Sequence, residues 1–339
     1  MILYINTTKF VQTIKVMRNK TGGYRVRAIC IAVFSTVCFC ICFMMALYFA
    51  LGYYLFTFSL DATFASVSHV PKNVIIEMPK PVQKTEWFKS IDKEDIYIES
   101  YDGYKLHAYK IKNTNSNRWA ICVHGYRDKG EGMSLYAYHY YNQGFNVLLP
   151  DLKGHGKSEG KYVGMGYNDR KDLISWIDQI IAEDSSAQIV LHGVSMGAAT
   201  VMMTCGESLP ENVMVAVEDC GYTSVYDQYS YVAENFIDIP MKNFALSALD
   251  TYSKLKLKTN LKEMNALEQL KKSKTPMLFI HGSKDTFIPL SMMQELYDSN
   301  NEIIKEKYVV EGASHAYSAS FDTDNYFKKV FEFVYKFLN

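Results

Sequence analysis

The sequence predicts an α/β protein in which a mostly parallel sheet carries helices on both faces, behind one membrane-crossing helix. Three observations predict it. From about residue 95 to the C-terminus, short β-rich apolar runs alternate with stretches of helical periodicity. The pentapeptide Gly193-Val194-Ser195-Met196-Gly197 lies between one such run and a small-residue helix start. Residues 28–60 carry no charged side chain, a run longer than the roughly 20 residues a helix needs to cross a bilayer.

Taken in order, the chain opens on a basic arm. Lys9, Lys15, Arg18, Lys20, Arg25 and Arg27 stand in residues 1–27, and no acidic residue precedes Asp61. The following residues, 28–51, read as a transmembrane signal anchor. Its basic flank keeps the N-terminus in the cytoplasm and sends the rest of the chain outward, so the expected location is a single-pass cell-membrane protein with an extracytoplasmic catalytic domain. The competing reading is a cleaved signal peptide, because Ala62-Thr63-Phe64-Ala65 offers small residues to a peptidase. The uncharged run exceeds the roughly 7–15 residues of a secretory h-region, which favours the anchor. Four of the seven cysteines, Cys30, Cys38, Cys40 and Cys42, fall inside the run as apolar filler. Residues 52–94, with Pro71, Pro79 and Pro81, read as a connector.

The domain then occupies residues 95–339. A hairpin turning at Asp102-Gly103 joins strands at 95–100 and 104–111, and further strands follow at 119–124, 145–150, 188–191, 213–217, 276–281 and 305–310. Helical spacing is clearest at Leu173, Trp176, Ile177, Ile180 and Ile181, and again at Phe327, Val330, Phe331, Val334 and Leu338. These stripes are core faces. Between the sixth and seventh strands, at about 221–269, the strand rhythm stops. Tyr222, Tyr226, Tyr229, Tyr231, Phe236, Ile237, Ile239, Met241, Phe244 and Leu246 fill this segment, which reads as a helical insertion. Cys122, Cys205 and Cys220 fall within or just past buried elements and read as small core residues.

The candidate chemistry lies in the loops beyond the strands. A chain that reverses sharply at Ser195, with glycine on either side, presents the hydroxyl at a helix N-terminus, where free backbone N–H groups favour negative charge. A serine hydroxyl is a poor nucleophile at neutral pH and needs an imidazole to take its proton. Asp285 lies on the loop beyond the strand at 276–281 and is the candidate acid; His315, on a loop opened by Gly312, is the candidate base. Asp219, just past the strand at 213–217, is the rival acid. The developing oxyanion needs donors, for which the backbone N–H groups of Met196 and of Tyr126, in the loop after the strand at 119–124, are the candidates. His124, His155, His192 and His281 sit at strand ends or in turns and read as hydrogen-bonded structural imidazoles.

These residues resemble the α/β-hydrolase superfamily over roughly residues 95 to 339. Asp151-Leu152-Lys153-Gly154-His155-Gly156-Lys157-Ser158-Glu159-Gly160 is similar to a D-x-x-G-H-G-x-S-x-G segment of the monoglyceride lipase and bacterial esterase branch, and Glu218-Asp219-Cys220-Gly221-Tyr222-Thr223-Ser224 to the segment after its sixth strand. The resemblance implies the order Ser195, Asp285, His315 for the triad and a cap inserted between strands 6 and 7. It implies a serine hydrolase, and an apolar cap favours a carboxylic ester with an acyl or aromatic group, since burying such a group gains about 25 cal/mol per Å². A peptidase or thioesterase of the same fold is the alternative, with Glu234 or Asp238 as carboxylates for a substrate amine. A non-catalytic, membrane-tethered binding module is the reading from another class, and the complete Ser, Asp and His set argues against it.

Composition agrees with one globular enzyme and an anchor. The chain of 339 residues is 48% hydrophobic and 21% charged with zero formal net charge, which points away from disorder and from nucleic-acid binding. No zinc-spaced His/Cys set and no Walker or dinucleotide fingerprint is present, so no cofactor or metal is expected. The expected partners are a small-molecule ester or acyl substrate and the membrane itself.

Overall fold

The computed structural model describes residues 7–65, 84–237 and 241–338, with only the backbone of residues 7–10, 14–25 and 237. Most of the expected connector, including its three prolines, and the cap carboxylate Asp238 lie outside the described residues. Eight strands form one sheet: β1 (Glu94–Glu99), β2 (Lys105–Ile111), β3 (Arg118–Val123), β4 (Asn146–Pro150), β5 (Gln188–Val194), β6 (Val213–Asp219), β7 (Met277–Gly282) and β8 (Lys305–Val310). Their order is β1-β2-β4-β3-β5-β6-β7-β8. The first two form an antiparallel hairpin and β2 joins β4 antiparallel; all other pairings are parallel.

Alternation along the strands divides the core into two layers, one on each face of the sheet. From β3, Trp119, Ile121 and Val123 enter one layer while Ala120 and Cys122 enter the other. The longer helices are α1 (Thr7–Leu60), α2 (Ser134–Asn142), α3 (Asp169–Glu183), α4 (Met196–Cys205), α5 (Val225–Val232), α6 (Lys242–Leu257), α7 (Leu290–Asp298) and α8 (Thr323–Val334). The stripe Leu173, Trp176, Ile177 and Ile180 of α3 joins the first layer, and Phe327, Val330, Phe331 and Val334 of α8 join the second. Cys122, Cys205 and Cys220 are free and buried. Two strands run further than the sequence pattern suggests. β5 continues to Val194 and β6 to Asp219, because each keeps its neighbour's ladder through those residues.

The N-terminal helix also departs from its expected boundary. α1 continues through residues 52–60, which the sequence assigned to the connector, because a partner holds them. Tyr48 donates its hydroxyl to the Ser247 carbonyl at 2.7 Å and lies 2.8 Å from the Thr251 hydroxyl. A Cβ on Gly52 would fall 2.5 Å from the Ala248 carbonyl oxygen, so glycine permits this close approach of α1 to α6. The rings of Tyr53 and Phe56 meet that of Tyr252 at 5.8 Å and 5.3 Å. Phe56 and Leu60 are fully buried. Residues 26–60 of α1 form a helix long and apolar enough to cross a membrane.

Candidate active site

Ser195 occupies the turn between β5 and α4 with φ 56° and ψ −118°, a conformation in which a non-glycine residue is strained. The flanking glycines make the turn possible by close approach. A Cβ on Gly193 would strike the Gly197 carbonyl, and one on Gly197 would strike that of Val123. The turn is fastened by the Ser195 N–H, which donates to the Asp219 carbonyl at 2.8 Å, and by the Ala199 N–H, which returns to the Ser195 carbonyl at 3.0 Å.

Three side chains from three separated loops meet here. His315 Nδ1 lies 2.7 Å from Asp285 Oδ2, and its Nε2 lies 2.9 Å from Ser195 Oγ. A carboxylate only accepts, so Nδ1 carries the proton and Nε2 is left to accept from the serine hydroxyl. All three residues are buried. Asp285 Oδ1 accepts the backbone N–H groups of Phe287 and Ile288 at 2.9 Å and 2.8 Å. Burial by itself would raise the Asp285 carboxyl, but hydrogen bonds from His281 and His315 overcome it and hold the group down at about 2.

The rival carboxylate faces elsewhere. Asp219 Oδ2 accepts the Tyr326 hydroxyl at 2.9 Å, and its other oxygen has no hydrogen-bond partner among the described residues. Burial pushes it up to about 6 against the lowering effect of that hydrogen bond. Its neighbour Glu218 is pushed to about 8 by burial, with Oε2 accepting the Gly221 N–H at 3.0 Å and Oε1 unpaired.

The D-x-x-G-H-G segment braces the loop that follows β3. Asp151 accepts N–H groups of Gly130 and Lys157 at 2.7 Å and 2.8 Å. His124 Nε2 accepts the Leu152 N–H at 3.0 Å, and His155 Nε2 accepts that of Arg127 at 3.3 Å. Burial lowers both imidazoles to about 4, which keeps those nitrogens free to accept at neutral pH. The braced loop touches the serine, for a Cβ on Gly125 would sit 3.4 Å from Ser195 Cβ. Tyr126, next in the loop, donates its hydroxyl to the Ser59 carbonyl at 2.8 Å, linking the loop to the end of α1.

Two contacts escaped the sequence reading. His281 Nε2 donates to the Ile288 carbonyl at 2.9 Å and also lies 3.3 Å from Asp285 Oδ2. It is structural, as expected, yet its structure is that of the acid loop; the spacing of four residues to Asp285 was the available signal. Phe287 sets its ring edge-on to His315 at 5.1 Å, and its carbonyl accepts Gln228 Nε2 of α5 at 2.8 Å. The cap is thereby tied to the same loop.

Among the described residues, Cys220, Asp285 and His315 form a group whose donor atoms lie within 4.8 Å and could in principle hold a metal ion. The chemistry of the set argues against it. Burial raises the Cys220 thiol well above its usual range, so it stays protonated, and the Asp285 and His315 atoms that face each other are already hydrogen-bonded.

Comparison with known proteins agrees with this architecture. Residues 115–218 match a family model described as serine aminopeptidase, S33. The chain is 27% identical over 250 residues to the uncharacterized protein YqkD of Bacillus subtilis (strain 168), covering 74% of this chain and 81% of that one. It is 24% identical over 213 residues to the uncharacterized membrane protein YNL320W of Saccharomyces cerevisiae, covering 62% and 69%. A solved esterase of Pyrococcus furiosus, PF2001, superposes with a TM-score of 0.63 at 24% identity, over 77% of this chain and 98% of the esterase. With the sheet order, the strained serine turn and the helical insertion between β6 and β7, these similarities show that the chain has the α/β-hydrolase fold.

Proposed function

We propose that this chain is a membrane-anchored serine hydrolase that cleaves a carboxylic ester through an acyl-enzyme. The observation that carries the reading is the hydrogen-bonded row Asp285, His315, Ser195, at 2.7 Å and 2.9 Å, in which an ionised Asp285 requires the proton on His315 Nδ1. In this reaction Ser195 Oγ attacks the ester carbonyl while its proton passes to His315 Nε2. Asp285 stabilises the imidazolium that results. The backbone N–H groups of Met196 and Tyr126 receive the oxyanion, and His315 returns the proton to the leaving alcohol. Water, activated by the same imidazole, then releases the acid. The likeness to a solved esterase supports an ester as substrate.

A fluorophosphonate probe tests the assignment directly. Wild-type protein should be labelled, and Ser195→Ala should lose labelling and turnover with little change in thermal stability, since the substitution removes a single oxygen and its hydrogen bond to His315. Labelling that survives would remove Ser195 as nucleophile.

The family description as a serine aminopeptidase favours a second reading, cleavage of an aminoacyl amide. Of its two carboxylates, Glu234 lies 3.0 Å from the Lys242 amine, and a carboxylate so engaged is a weaker receptor for a substrate amine. Rates on p-nitrophenyl esters, monoglycerides and aminoacyl amides distinguish the two.

The anchor reading rests on the uncharged helix and its basic flank. Protease added outside cells stripped of their wall or outer barrier should digest the chain from Asp61 onward and spare residues 1–27. Full protection of the domain would reverse the proposed orientation, and a soluble domain beginning near Ser66 would establish a cleaved signal.

A further inference from the structure

The charge-free part of α1 is longer than a membrane requires. Its 33 residues, 28–60, rise roughly 50 Å at 1.5 Å each, against a hydrocarbon core of about 30 Å. The excess lies at the domain end, where α1 stops being exposed and begins to pack. Up to Leu47 its large apolar side chains are open, whereas Gly52, Phe56 and Leu60 are buried. If the core is entered just after Arg27, about 20 residues bring it to its far side near Tyr48. That tyrosine is where α6 begins to touch α1.

The two helices run in the same direction. Tyr48 meets Phe244, Ser247 and Thr251, and Gly52 meets Ala248; further along, Phe56 meets Tyr252. Lower numbers on α6 therefore lie nearer the span. At its start, Met241 and Phe244 are 72% and 44% exposed, and Phe244 stacks edge-on to Tyr48 at 5.3 Å. Met241 lies about one turn closer to the span than Phe244. Tyr53 and Tyr54, further along α1 at the level of Tyr252, are exposed aromatic side chains of the kind that settle at headgroup level.

We infer that the N-terminal turn of α6, through Met241 and Phe244, enters the boundary between headgroups and acyl chains of the same membrane that α1 crosses. The inference rests on the anchor reading proposed above. Continuity with the lipid-facing stretch of α1 selects the occupant: an apolar turn hydrogen-bonded beside a membrane helix at its exit meets lipid before it meets any protein. Lys242, paired with Glu234, has the stem length to keep its amine among the headgroups while its neighbours are in contact with chains. The cap is thus a second membrane contact.

Full-length protein is reconstituted in phosphatidylcholine vesicles, with and without lipids brominated near the glycerol end of the chains. Phe244→Trp and Met241→Trp are read against the wild type, whose three tryptophans supply the background. Phe39→Trp, in the exposed stretch of α1 and near the middle of the proposed span, reports the span itself through a second set of vesicles whose lipids are brominated near the ends of the chains. Both cap tryptophans should emit at shorter wavelength than a water-exposed tryptophan and lose about half of their added fluorescence to bromine, as expected for a group buried 5–10 Å into the interface. Quenching of Phe39→Trp with neither cap tryptophan quenched would overturn this inference and leave the anchor standing. Quenching of none of the three would overturn the anchor and this inference together. Met241→Trp covers the case in which Phe244→Trp disturbs the Tyr48 contact, because Met241 is open enough for the larger ring.

Discussion

The end of β6 and the turn after β7 are neighbours at one end of the sheet, and each carries a buried aspartate. Their environments differ in donors. Asp285 receives two backbone N–H groups on one oxygen and faces the imidazoles of His315 and His281 on the other. Asp219 receives one phenol, from Tyr326, and leaves an oxygen unpaired. The same kind of carboxyl is therefore held at about 2 in the turn after β7 and pushed to about 6 at the end of β6. The set of donors that keeps the charge in place beside the imidazole, more than position at a strand end, is what favours Asp285 in the role of acid proposed above.

The most damaging way to sharpen that comparison is to exchange the two carboxylates for amides. Asp285→Asn should lower kcat on a p-nitrophenyl ester by about three to four orders of magnitude, because the imidazole would be held in the wrong tautomer. Asp219→Asn should cost less than about tenfold, since its oxygen points to Tyr326. The opposite ranking would transfer the role of acid to Asp219.

A smaller effect separates the two regions by pH. Asp285 has a depressed pKa, so the stability it contributes is present above the ordinary aspartate range and is lost as pH falls towards 2. Glu218 has the opposite sign. Its pKa is raised to about 8, so the folded chain holds a proton that the unfolded chain releases above roughly 4.5. Its contribution is complete in acid and is lost as pH rises through 8, at up to about 1.4 kcal/mol per pH unit. Glu218→Gln mimics the protonated side chain. The fall in Tm of the wild type between pH 6 and pH 8 should be visibly shallower in this variant. Equal slopes in the two proteins would show that Glu218 is ionised in the folded state.

Much of this was legible in the chain because the signals are local. Eight β-rich runs foretold eight strands, since alternating and continuous apolar patterns report burial within a few residues. Gly193 and Gly197 bracket Ser195 in sequence as they do in space, so the turn could be read directly. The uncharged run to Leu60 was equally plain.

Other features depend on contacts between distant residues, which no local pattern encodes. Sequence order favoured Asp285 over Asp219, but only folding brings His315, 30 residues further along, within 2.7 Å of Asp285. His281 looked like one more structural imidazole until β7 and its loop turned it towards the same carboxylate. The length of α1 is the clearest case. A helix apolar on every side has no sidedness to read, so its sequence determined that it could cross a membrane but gave no sign of where it begins to pack on the domain. Tertiary structure decided that, by bringing α6 from some 200 residues away against Tyr48, Gly52 and Phe56: burial against a partner, unlike hydrophobicity, is a property of two surfaces and exists only once both are in place.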